Sequence, residues 1–300
     1  RTFFLLFCFL LSFSVVPVYG KDITISAEAS DIEDYNNWLD QKKCSDINNY
    51  QNQYATPPTI QLLIICKALF LGGIKTTILL KPMPNYSRSL LETQKGNIAM
   101  PSNSIWHKQI NRNDFFYSKP IFESGEFQKG FYTVPKKRIE IEKIIELNKL
   151  TGISELQTLK NYSIITSPNW IFDVAAITKL GMKIIATSRA ESMCKMLKYE
   201  RGDLYFGELV MNSSENLSIN CNGLILEPIR GLKVVFSEPR HFVISKKFPD
   251  SENIFNALET GLKILRETGE IERALYPELK TKAVIDNWIN LLLIAPLQSN

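Results

Sequence analysis

The chain has 300 residues, 45% of them apolar, with 35 Lys and Arg against 31 Asp and Glu, two His and five Cys. That apolar share can bury a substantial core, and the length allows two domains of ordinary size. A net charge of +4 without a Lys/Arg block leaves no footprint for nucleic acid, and two histidines outside any Cys/His ligand spacing supply metal catalysis or a Ser-His-acid triad poorly.

Residues 1–20, "RTFFLLFCFLLSFSVVPVYG", start positive, run apolar and close on small residues at −3 and −1. That pattern predicts a cleaved secretory signal peptide. An uncleaved anchor is the alternative, although the run is short for a span of about 20 residues. Beyond it remain Cys44, Cys66, Cys194 and Cys221. Export permits disulfides and the even count allows two, while buried thiols on helices are the other reading.

"DITIS" (22–26) reads as a strand, and the polar, aromatic stretch 31–58 as loop with some helix. From Thr59, "IQLLIICKALFLGG" has the length and apolar density of a buried helix stopped by Gly72 and Gly73. "KTTILL" is a strand, "NYSRSLLETQKG" a helix ended by Gly96, and "NIAM" a short strand. Residues 112–133, "RNDFFYSKPIFESGEFQKGFYT", are too broken for a helix and too aromatic for an ordinary linker. After them the alternation resumes with "NYSIITS", "NWIFDVAAITKLG", "MKIIATS", "RAESMCKMLKYERG" and "DLYFGELV". Residues 209–235 are less regular; "LKVVFS" and "HFVISK" read as further strands. In "SENIFNALETGLKILRETGEIERAL", Phe255, Leu258, Leu262 and Leu265 recur at helical spacing, and the apolar tail after it is expected to pack on the body. Strands alternating with helices predict an α/β fold with mostly parallel sheets.

Four stretches resemble the type II periplasmic solute-binding proteins, in particular the family-3 amino-acid receptors of ABC importers. "NYSRSLLETQKGNIAM" is similar to the family's R-x-L-x-x-L-x-x-G helix and following strand, and "FFYSKPIF" to its F-S-x-P segment. "MLKYERGDLYFGE" is similar to L-x-x-G-x-x-D in the second lobe, and "FNALETGLKILRETGEIERAL" to the C-terminal helix. The resemblance implies a two-lobed fold, each lobe a mixed, mostly parallel sheet flanked by helices. Lobe 1 would take residues 21–131 and 235–300, and lobe 2 residues 132–234, with crossings near Phe131–Pro135 and Ile229–Val235. It implies a periplasmic monomer that captures a small polar ligand by closure, with a membrane transporter or sensor as partner and no cofactor. Tyr117, Phe116 and Phe122 would then wall the cleft or pack beneath the hinge, and Gly125 and Gly130 would let the backbone turn.

Ligands between α/β lobes meet the carboxyl ends of strands and the starts of the helices that follow. In "MPSNSIW" that place offers Ser102, Asn103, Ser104 and Trp106. In "TSPNWIF" it offers Ser167 or Asn169 as a helix cap or ligand group, with Trp170 beside them. The family's carboxylate-clamping arginine would fall near Asn111, which makes Arg112 the candidate one residue away, while Arg88 reads as a helix-surface group. Glu208 stands where the family places an acid for a ligand amine, and Arg240 and His241 read as partners in a buried salt bridge or hydrogen bond. A binding protein without chemistry is the leading function. A ligand sensor on the same scaffold and a dehydratase using Glu208 and Glu123 are the alternatives.

Overall fold

The computed structural model describes residues 22–209, 217–221, 223–277 and 279–294. The expected signal peptide lies outside them. Among the described residues no helix is long and apolar enough to cross a membrane.

The chain opens with β1 (Ile23–Ala27), α1 (Ala29–Leu39), α2 (Pro57–Leu71), β2 (Ile78–Pro82), α3 (Tyr86–Gln94), β3 (Met100–Pro101), β4 (Ile105–Trp106) and β5 (Phe115–Phe122). Its middle runs β6 (Gln128–Thr133), α4 (Pro135–Leu150), α5 (Glu155–Leu159), β7 (Ser163–Thr166), α6 (Ile171–Lys179), β8 (Lys183–Ala186), α7 (Ala190–Lys198) and β9 (Leu204–Glu208). It closes with β10 (Ile219–Cys221), β11 (Leu224–Pro228), β12 (Leu232–Val235), β13 (Arg240–Ser245), α8 (Ser251–Glu267), α9 (Glu270–Leu275), α10 (Leu279–Asp286), β14 (Ile289–Asn290) and α11 (Leu291–Ile294). Residues 135–159, unassigned from the sequence, form α4 and α5.

Three sheets result. β1 sits between β2 and β3, all parallel. β13 lies antiparallel between β4 and β5. The third sheet runs β10-β11-β6-β9-β7-β8, with β12 also on β6 and β14 parallel to β12. The β-α-β passages through β7, α6 and β8 are parallel, as strand-helix alternation requires.

α2 is apolar on every face because every face is covered. Thr56 caps it by accepting the Thr59 N–H, Pro57 sits where no N–H is needed, and Ile60, Leu63, Ile65 and Ala68 are buried. Its partner is α8, which buries Ile254, Leu258, Leu262 and Leu265, while Phe255 is half-buried and stacks on Phe116 at 5.2 Å. The two backbones touch: a Cβ on Gly261 would stand 1.8 Å from the Ala68 carbonyl oxygen, and one on Gly72 would stand 2.0 Å from that of Ala257. The polar stretch before α2 contains the eleven-residue α1 and is pinned to α2 by the Cys44–Cys66 disulfide.

The aromatic segment 112–133 becomes two strands in two different sheets. β5 pairs with β13, and β6 pairs with β9, β11 and β12. The transfer falls between them, where Gly125 takes φ +88 and its N–H bonds the Phe236 carbonyl. Gly130 serves a different purpose from the turn expected of it: it lies inside β6, where a Cβ would meet Leu209 at 2.7 Å. The rings fill the junction. Phe127 meets Phe122 and Trp106 edge-on at 5.1 Å, and Phe236, next to β12, lies 5.0 Å from Trp106. The apolar tail packs on the body through Ile285 and Leu291, and the buried Lys233 ammonium donates to the Ile285 and Asp286 carbonyls at the end of α10.

Candidate functional site

Between the β4/β13 sheet and the large sheet lies a cavity of about 540 Å³, within the range of small-molecule sites. Glu28, the N-cap of α1, and Asp31 and Asp34 from its first turn and a half line it, and the loop before α2 contributes Gln53 and Tyr54. Asn103 and Trp106 come from the β3–β4 region, Phe127 and Lys129 from the entry to β6, and Asn169, Trp170 and Asp173 from the start of α6. Tyr205 and Glu208 of β9 and Arg240 of β13 complete its centre.

The centre holds two ion pairs. Arg240, 93% buried by its residual exposure of 7%, donates from Nη2 to the Ser104 carbonyl at 2.6 Å. Its guanidinium carbon lies 4.2 Å from the Phe127 ring centre and 4.9 Å from that of Trp106, a cation–π seat. Its Nη1 faces Glu208 Oε1 at 3.7 Å, longer than a hydrogen bond. Beside it, the Lys129 ammonium bonds Asp173 at 2.6 Å and rides 5.1 Å from the Trp170 ring centre. Burial raises the Glu208 carboxyl above the usual range against the pull of Arg240 and Lys129. Burial likewise raises Asp173 against the pull of Lys129. Two atoms in this set, Arg240 Nε and Glu208 Oε2, are buried with no hydrogen-bond partner among the described residues. A buried charged group lacking part of its hydrogen bonding is costly.

A second pole is acidic. Burial, then Glu28 and Asp34, push the Asp31 carboxyl up to about 7. At this end three carboxylates face the same space as the Tyr205 hydroxyl.

Of the residues expected from the sequence, Asn103, Trp106, Asn169, Trp170 and Glu208 line the cavity together. Ser102 and Ser167 are buried, 1% and 3% exposed, and are not in the lining. α6 begins later than expected: Trp170 holds the N-cap position with no side-chain cap bond, and the Ser167 hydroxyl accepts the Asn169 N–H at 3.2 Å. Arg112 and Tyr117 are elsewhere, the guanidinium carbon 5.4 Å from the Tyr117 ring centre and neither in the lining. Arg88 pairs with Glu92 on the surface of α3. Glu123 is not in the lining; its backbone N–H donates to the Glu126 carboxylate.

The cavity's guanidinium is that of Arg240, because β13 pairs with β4 so that Arg240 stands opposite Trp106. That pairing spans 134 positions and leaves no local trace. Asp173 and Lys129 had a visible signal: each is a lone charge in an apolar run, "WIFDVAAI" and "FQKGFYT". The cysteines pair as Cys44–Cys66 and Cys194–Cys221, with Cα separations of 6.2 and 5.6 Å; the second disulfide borders the cavity. Among the described residues no cluster of three His, Cys, Asp or Glu could hold a metal ion.

No family model and no curated protein matches the chain. Solved structures do. The arginine-, lysine-, histidine-binding protein ArtJ from Geobacillus stearothermophilus is 14% identical over 86% of this chain and 96% of that chain, with TM-score 0.51. An arginine 3rd transport system periplasmic binding protein from Legionella pneumophila is 12% identical over 84% and 97%, with TM-score 0.50. The P235GK mutant of ArgBP from T. maritima is 10% identical over 85% and 95%, with TM-score 0.50. The chain therefore has the two-lobed fold of the type II periplasmic binding proteins.

Proposed function

We propose that this is an exported solute-binding protein that captures a small ligand carrying both an anion and an amine, an amino acid or a related organic acid or amine, without chemistry. The observation that carries the reading is the pair of opposite charges, Arg240 and Glu208, 3.7 Å apart in the lining of one cavity, each with a buried atom, Nε and Oε2, that has no hydrogen-bond partner among the described residues. A carboxylate takes the guanidinium in a charge-assisted bond and an ammonium takes Glu208. Trp106 and Trp170, both in the lining, offer apolar surface to the rest of the ligand. The acidic pole at Asp31 and Asp34 favours a ligand whose far end is cationic over one whose far end is acidic.

On this reading the lobes divide at the paired strands β6 and β12, with the expected bounds of residues 21–131 and 235–300 in one and 132–234 in the other, except that the tail goes with the second, where Ile285 packs with Tyr132 and Ile165 and β14 pairs with β12. Arg240 and Trp106 then belong to the first lobe, Glu208, Asp173 and Trp170 to the second. A ligand touching both favours the closed state by its differential contacts. Delivery to a membrane transporter follows as the role, with reporting to a membrane sensor as the second reading.

A thermal-shift screen of amino acids, polyamines, sugars and organic acids tests this. At a concentration of 100 Kd a ligand specific for the native state stabilises it by about 2.7 kcal/mol. The expected result is a clear upward shift with basic or neutral amino acids and a smaller one with acidic amino acids. Stabilisation by sugars alone would overturn the reading, and silence across the whole set would favour the sensor.

A further inference from the structure

The chain's only two histidines, His107 and His241, meet each other at the β4/β13 ladder, outside the cavity lining. Arg240 stands opposite Trp106 and His241 opposite Ile105, and the His107 N–H bonds the Pro239 carbonyl at 3.0 Å. Arg240 and Trp106 line the cleft, and the next residue along each chain segment is a histidine outside the lining. The two imidazoles are therefore attached to the same short backbone ladder that carries the cleft's guanidinium and its stacking ring.

Their bonding fixes one charge state. His241, 4% exposed, places Nδ1 2.7 Å from the Ser118 carbonyl oxygen and Nε2 3.1 Å from His107 Nδ1. A carbonyl only accepts, so His241 Nδ1 carries the proton, and neutral His241 then accepts from His107 through Nε2. His107 donates whether neutral or charged. With His107 neutral, a proton added to His241 Nε2 is shared, because His107 can turn to its other tautomer and accept at Nδ1; with His107 already charged, it puts two N–H donors face to face, and the bond becomes a repulsion.

We propose that the His107–His241 pair is a positioning device that clamps β4 to β13 and so holds Arg240 and Trp106 in binding geometry, a clamp released when His241 takes up a proton beside an already charged His107. The proposal rests on the cleft being a ligand site. Tyr117 of β5 faces both rings at 5.5 and 5.7 Å, and Arg112 stacks on Tyr117. Glu123 and Glu238 also act on His241, and Glu238 is tied to Lys108 at 3.1 Å. Burial holds the His241 imidazole below the usual histidine range, reinforced by His107 and opposed by the Ser118 carbonyl and the two glutamates. A depressed value means that the clamp is intact above the ordinary histidine range and is lost as the pH falls through the folded-state value.

The test follows the imidazole and tryptophan indole NMR resonances against pH, together with calorimetric titration of L-arginine and L-glutamine at pH 8 and pH 5. With two histidines and four tryptophans the signals are few, and Trp106→Phe assigns the one that matters. The expected result is a Trp106 indole shift with the midpoint of His241, and an affinity loss of about tenfold in acid. His107→Asn should abolish the His-linked part of that loss, because its amide can donate to neutral His241 or turn and accept from the charged ring. His107→Leu should weaken binding at both pH values. Any effect of Asp31 is shared by all three proteins and cancels in their comparison. A Trp106 signal that stays fixed while His241 titrates, or a His107→Asn profile matching that of the unmodified protein, overturns the proposal. If neither amino acid binds at either pH, the choice of ligand fails while the indole titration still decides the clamp.

Discussion

Replacing Arg240 with Met separates the two roles that the site assigns to this side chain. Met keeps much of the contact with Trp106 and Phe127 but removes the charge, the bond to the Ser104 carbonyl and the attraction to Glu208. Hydrogen bonds to a charged group contribute about 1.5–3 kcal/mol each, so losing the carboxylate contact should cost about 3 kcal/mol of binding, roughly 150-fold in Kd. Stability should fall as well. Breaking a buried pair costs about 3–5 kcal/mol, and the 21% exposure of the Glu208 side chain together with its ability to take up a proton brings the expectation down to about 2–3 kcal/mol. The pH dependence has a fixed sign. The folded-state value of Glu208 is already raised and Arg240→Met raises it further, so the deficit is greatest at pH 8 and shrinks as Glu208 protonates in acid. Urea denaturation at pH 8 and pH 4.5, with calorimetric titration of L-arginine at pH 8, measures both effects. Adding Glu208→Gln should return much of the stability and none of the affinity. Binding of Arg240→Met within threefold of the unmodified protein, or recovery of affinity in the double variant, would refute the assignment of Arg240 as the anion group.

Replacing Cys194 and Cys221 together by Ala opens a loop closed over a separation of 27 residues, for which chain entropy gives about 3.5 kcal/mol. Denaturant midpoints should fall accordingly, and ligand affinity should fall with them because this disulfide borders the cavity; loss of Cys44–Cys66 should lower stability and leave affinity nearly unchanged. Asp31→Asn should raise stability at pH 8 by about 1 kcal/mol and make no difference below pH 4, since a carboxyl raised to about 7 costs stability as it ionises between those values. Melts of the two proteins from pH 4 to pH 8 check this, and the same variant should lose preference for L-arginine over L-glutamine. Gly261→Ala forces α2 and α8 apart and should cost about 1–3 kcal/mol, read as a lowered Tm, with no effect on affinity.

The elements whose residues carry their own period were legible in the sequence: α2 from its unbroken apolar run, α8 from Leu258, Leu262 and Leu265, and the β7-α6-β8 unit from strands and helices alternating between glycines. Five cleft residues, Asn103, Trp106, Asn169, Trp170 and Glu208, were legible too, because strand ends and helix starts are local features. Periodicity reports which face of an element is buried and is silent about what buries it. Arg240 reached the cleft only through the pairing of β13 with β4, and Arg112, a residue away from the expected place, went to the Tyr117 ring. The meeting of Lys129 with Asp173, of His107 with His241 and of Cys194 with Cys221 likewise depends on contacts across 44, 134 and 27 positions. Such contacts are selected by the summed packing of both lobes and not by any residue's neighbours in the chain, so tertiary structure alone decided which charges share the cavity.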